Sequence, residues 1–131
     1  MSEDVRARLI EEHRSVFENA LSCADAVAAG WDGASTTDRT AVVEPYRATL
    51  ERAGLLDSLL AALSEAVSAT GGELLARPVP DVPYLAVTGQ GIVLRGPIDG
   101  GRIVVTLEAF EVDPYRRSGS FPDALVVERR E

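Results

Sequence analysis

Two hydrophobic periods divide the chain near Gly71-Gly72. Upstream, apolar residues recur every three or four positions, the spacing of one buried helix face. Downstream they alternate in short runs separated by Gly and Pro, the pattern of half-buried strands. A first helix is predicted from Glu3 to Ala29, capped by Ser2, with Glu3 and Asp4 at its positive end. Val5, Leu9, Val16, Phe17, Ala20, Ala24, Val27 and Ala28 give it one buried stripe. Gly30 ends it and Asp32-Gly33 turns the chain. Thr36 or Thr37 then caps a second helical region, which Pro45 either kinks or splits into a short helix and a new start. Gly54 closes that region. A third helix runs from Leu56 to Ala69, with Leu56, Leu59, Leu60, Leu63 and Val67 on one face.

The downstream half reads as an antiparallel meander. Leu74 to Arg77 is a brief strand, pushed toward an edge by Pro78 and Pro80. Tyr84 to Thr88 and Gly91 to Arg95 flank Gly89-Gln90, where a leading glycine suits a type II′ turn. Asp99-Gly100 is the strongest hairpin signal and leads into a long strand, Arg102 to Val112. A last strand, Ala124 to Arg129, follows an irregular loop. The expected architecture is α+β: about three N-terminal helices packed on one face of a C-terminal meander of four to five strands. One domain, 1–131, is expected to hold the helical part (1–72) and the sheet part (73–131). In the long strand Ile103, Val105, Leu107 and Ala109 form the core face, while Val104, Phe110 and Val112 make the other face half apolar. A sheet covered on one side should show a mostly polar second face, so this one is either a curled sheet partly covered by its own loops or a self-association surface.

Charge changes the picture. Lysine is absent: all 13 basic residues are arginine, against 21 Asp and Glu, for a net charge of −8. A GC-rich codon bias explains arginine for lysine but not the surplus of acids. An acidic, lysine-free surface suits a cytoplasm of molar salt, where the Debye length falls to ~3 Å and like charges no longer repel. Twelve acids and six arginines lie in 1–72, a net of −6; nine acids and seven arginines lie in 73–131, a net of −2. Hydrophobic content of 46% excludes wholesale disorder. No apolar run approaches the 18 residues of a membrane span, and the N-terminus has no signal-peptide pattern, so a cytoplasmic protein is expected.

Candidate chemistry is sparse. Cys23 is the only cysteine and His13 the only histidine, and nearly three helical turns separate them. No metal and no cofactor is expected. Gly89-Gln90-Gly91 precedes a strand rather than a helix, so it is a turn and not a phosphate cradle. Nucleic acid is an unfavourable partner for a chain of this charge without a basic stripe. The segment Asp113 to Phe121 is the best candidate site, with Tyr115, Arg116, Arg117 and Ser118 beside Glu111 and Asp113. Arginine forks there match carboxylate or phosphate groups.

The lysine-free composition and the stretch Val105-Thr-Leu-Glu-Ala-Phe-Glu-Val-Asp-Pro-Tyr-Arg-Arg117 resemble small acidic proteins of halophilic archaea that have no assigned function. That resemblance implies a habitat and brings no catalytic motif. The expectation is a non-enzymatic interaction module, homodimeric or bound to another protein. The alternative is a small-molecule or anion-binding protein, possible as an enzyme, using the Asp113–Phe121 loop.

Overall fold

The computed structural model describes residues 1–131 and is α+β: helices fill the first half and antiparallel strands the second. The helices are α1 (Ser2–Glu12), α2 (Arg14–Ala29), α3 (Val43–Arg52) and α4 (Leu55–Ala69), with a 3-10 turn at Arg39–Ala41. The predicted first helix is therefore two. His13 leaves helical geometry at φ −128°, ψ 20°, and its Nε2 lies 2.6 Å from Glu65 Oε1 on α4. The apolar stripe runs through the break: Val5, Leu9, Phe17, Ala20, Ala24 and Val27 are all buried. The Pro45 alternative resolves as a split, the 3-10 turn followed by α3, with Pro45 in the first turn where it costs no hydrogen bond. Asp38, rather than Thr36 or Thr37, caps the 3-10 turn by accepting from Thr40 N. Gly54 separates α3 from α4 at φ 70°, as its place between two apolar runs implies.

Seven strands follow in chain order: β1 (Ser35–Thr36), β2 (Leu85–Val87), β3 (Gly91–Ile98), β4 (Gly101–Glu108), β5 (Phe110–Glu111), β6 (Tyr115–Arg117) and β7 (Leu125–Arg130). They form two sheets, one of order β2-β3-β4-β7 and a smaller one of order β1-β6-β5. Asp99-Gly100 makes the hairpin that pairs Ile98 with Gly101, with Gly100 at φ 80°. Gly89-Gln90 also turns the chain, but Gly89 is not among the glycines of positive φ, so the turn is not type II′. That glycine is required by packing instead: a Cβ there would sit 2.6 Å from Tyr115 Cε1. Leu74–Arg77 is loop rather than strand, its one ladder bond running from Leu75 N to Pro97 O.

The core is one cluster of 30 buried residues drawn from every helix and from the inner face of the larger sheet. Leu85, Ile92, Leu94, Ile98, Ile103, Val105, Leu107 and Leu125 point toward α1, α3 and α4, which pack on β7, β2 and β3. α4 is buried on most of its surface, which its Leu- and Ala-rich sequence allows. Tyr46 is fully buried on α3 and donates its hydroxyl to Ala20 O at 2.8 Å, so its polar tip is satisfied. Cys23 is buried, and that burial pushes its thiol pKa up, which makes it a packing residue.

Candidate functional site

The long strand predicted over Arg102 to Val112 breaks at Ala109. The amides of Ala109 and Phe110 both donate to Gln90 O, at 2.8 and 3.0 Å, so the chain leaves the larger sheet there. The bend turns Phe110 inward, edge-on to Tyr46 at 5.4 Å and beside Trp31 at 5.9 Å. Phe110 thus belongs to the core, not to the second sheet face. Glu111 continues as β5, Asp113 takes a left-handed φ of 63°, which Asp tolerates better than most residues, and β6 returns antiparallel. β1 completes the small sheet by pairing Ser35 with Arg116 and Thr36 with Tyr115. Half of the segment expected to be an irregular loop is therefore a hairpin.

That hairpin sorts the candidate residues. Arg117 is mostly buried, with its Nε 2.9 Å from Asp25 Oδ1 and its Nη1 donating to the carbonyls of Ala109, Ser118 and Gly119. Its Nε–H makes no well-aligned hydrogen bond, so the Asp25 contact is an ion pair. Arg117 is committed to holding the hairpin against α2. Tyr115 is packed over Gly89 and against the core. Phe121 stacks on Phe17 at 5.8 Å and lies under the Arg14 guanidinium at 5.0 Å. Arg6 fixes the same segment by donating to Pro122 O and Leu125 O, both at 2.9 Å. What faces solvent is Glu111, Asp113, Arg116 and Ser118, all in one cleft of about 710 Å³.

Glu108 and Asp123 also line that cleft, so four carboxylates surround the single Arg116. Four negative groups against one positive favour a cation over an anion there. Three of the twelve lining residues are hydrophobic, whereas small-molecule pockets are mostly apolar with a few placed polar groups. No group of three or more His, Cys, Asp and Glu side chains is placed to hold a metal ion.

A second surface is the outer face of the larger sheet. Strand alternation turns Val93, Arg95 and Pro97 of β3 away from the helices, with Arg102, Val104, Thr106 and Glu108 of β4 and Val126, Glu128 and Arg130 of β7. The register lines them up in rows across the strands: Val93, Thr106 and Val126; Arg95, Val104 and Glu128; Pro97, Arg102 and Arg130. None of the valines among them joins the core cluster or packs against it. Val104 is nevertheless only 6% exposed. Arg130 pairs with Glu128 at 2.9 Å, while Arg95 and Arg102 have no ion-pair partner. The alternation of valine with arginine was the available signal for this face; the position of Phe110 and Val112 beyond the bend was not.

One further polar cluster ties helices together. Glu65 on α4 accepts from Arg8 on α1 at 2.9 and 3.1 Å and meets His13 at the helix break. The Arg8 bonds, with His13 second, hold the Glu65 carboxyl down to about 2 against the opposing effect of desolvation. The same pair raises Arg8.

No helix is long and apolar enough to cross a membrane. Neither curated proteins nor solved structures give a match to the chain. The family model for a domain of unknown function, DUF7988, matches residues 3–130, so nearly the whole chain belongs to that family.

Proposed function

We propose that the chain is a non-enzymatic protein-interaction module of a salt-adapted cytoplasm, which docks its partner on the outer face of the β2-β3-β4-β7 sheet. One observation carries this: the helices cover a single face, and the other shows a valine strip bordered by unpaired Arg95 and Arg102. Charged groups ringing a desolvated apolar centre are the usual build of a protein interface. The face is also the part of an acidic chain where arginine outnumbers acid, so it attracts what the helices repel. The salt-adapted setting is supported by the absence of lysine, the net charge of −8 and the resemblance to acidic halophile proteins.

Arginine labelling tests the interface. Phenylglyoxal modifies exposed arginines, and a chain without lysine gives a clean readout. In concentrated extract of the source cells, Arg95 and Arg102 are expected to be protected relative to the dilute purified protein. Arg39 and Arg52, exposed beside the helices, should label equally in both. Equal labelling of all four removes the proposal.

The cleft beside Arg116 supports a second reading, a small-ligand site formed by Glu111, Asp113, Arg116 and Ser118, with Tyr115 and Arg117 behind it. Its carboxylate majority selects an amine-bearing ligand rather than a phosphate. It ranks second because its walls are thin in apolar surface and the arginine expected to grip a ligand is tied to Asp25.

A further inference from the structure

We infer that the occupant of the outer sheet face is a second copy of this chain, related by a two-fold axis running along β4 midway between the two sheets. The inference rests on the interaction reading above and specifies the partner. A two-fold axis along β4 places β4 over β4, and β3 of each copy over β7 of the other. Rows face the same rows. Val104 then meets Val104 and Thr106 meets Thr106 on the axis, while Val93 meets Val126 on either side. Arg95 meets Glu128 of the second copy, twice by symmetry. The unpaired guanidinium of each copy thus finds the carboxylate that only Arg130 holds in the single chain.

The alternative axis, running across the strands, pairs Arg102 with Glu108. It also lays Arg95 on Val93 and Glu128 on Val126 of the other copy, burying charge against apolar groups. The axis along β4 avoids this: its like-charged meetings, Arg102 with Arg102 and Glu108 with Glu108, fall at the exposed ends of the strand. Sheets packed face to face keep their strands within about 30° of alignment, which this arrangement satisfies. At ~4.8 Å per strand and ~3.4 Å per residue, three strands of six or seven residues cover roughly 300 Å² per copy. That is a small interface, so exchange between monomer and dimer is expected rather than a permanent pair. Two copies of net charge −8 repel, and the apolar centre does not depend on charge, so association strengthens from dilute buffer to molar potassium chloride.

Light scattering over a concentration series at moderate salt tests the assignment. The wild type is expected to shift toward the dimer as concentration rises. Arg95→Glu or Glu128→Arg alone should weaken association at least about tenfold, and the double variant Arg95→Glu/Glu128→Arg should regain most of that loss. Thermal midpoints near wild type show that these changes leave the fold intact. Thr106→Cys joined by a short bis-maleimide gives a covalent dimer if Thr106 lies on the axis, and this readout needs no charge change. Single reversals without effect, a double variant no better than the singles, or uncross-linked Thr106→Cys overturn the axis. A strict monomer at every concentration and salt overturns the second copy altogether; protection of Arg95 and Arg102 in cell extract then leaves the interaction reading standing on a different partner.

Discussion

Single side chains decide more here than their neighbours in sequence suggest. Glu65 is one acid among many on the helices, yet it joins α1, the His13 break and α4. Its folded-state pKa of about 2 lies below the ordinary 4.5, so its contribution is complete above pH 4.5 and is lost as pH falls toward 2. The cluster is partly exposed, and solvent screening keeps its effect small. Glu65→Gln is therefore expected to melt a few degrees below wild type near pH 6. The gap should shrink as pH falls below 4.5 and be largely gone near pH 2, where the folded carboxyl is half protonated; a gap independent of pH would contradict the ion pairing. Glycine acts at the same scale. Gly91 takes φ 148°, and a Cβ there would lie 2.0 Å from Leu107 O, so no other residue lets β3 approach β4 at the bend.

Elements show where the sequence was legible and where it was not. Gly54 and Asp99-Gly100 lie between apolar runs of known period, so the chain announces those turns locally, and both are present. The leucine face of α4 was equally plain. The His13 break carries no Gly or Pro, and its geometry answers to Glu65, 52 residues away. Ser35-Thr36 is polar and short, and becomes a strand only because β6 lies beside it. The alternation of β4 runs on through Phe110 and Val112, so the bend at Ala109 is invisible until Gln90 O gathers two amides. The candidate site suffered the same way: arginines at 116 and 117 look equivalent, but Asp25 on α2 takes only the second. Mutating them should separate them. Arg117→Ala removes charge-assisted bonds to three carbonyls and an ion pair, with an expected cost of about 2–4 kcal/mol in denaturant unfolding. Arg116→Ala should stay within about 0.5 kcal/mol. Equal losses would mean that the hairpin is not anchored through Arg117.

At the scale of the whole molecule, charge and topology set the behaviour. The helical half has a net of −6 and the sheet half −2, so self-repulsion is concentrated on the layer that covers the core. Raising salt from about 0.1 M to about 1 M shortens the Debye length from ~10 Å to ~3 Å and removes that repulsion. The thermal midpoint of dilute protein is accordingly expected to rise from low salt to molar potassium chloride; equal midpoints would defeat the salt-adapted reading. The bonds from Arg6 to Pro122 O and Leu125 O span 116 and 119 positions and join the first helix to the last strand. Synthesis delivers α1 more than a hundred residues before its docking strand. Until β7 has left the ribosome, the apolar stripe of α1 can reach α4 but not β7, and β1 waits likewise for β6. The fold closes only once β7 is available, and until then the apolar stripe of α1 is covered by helices alone.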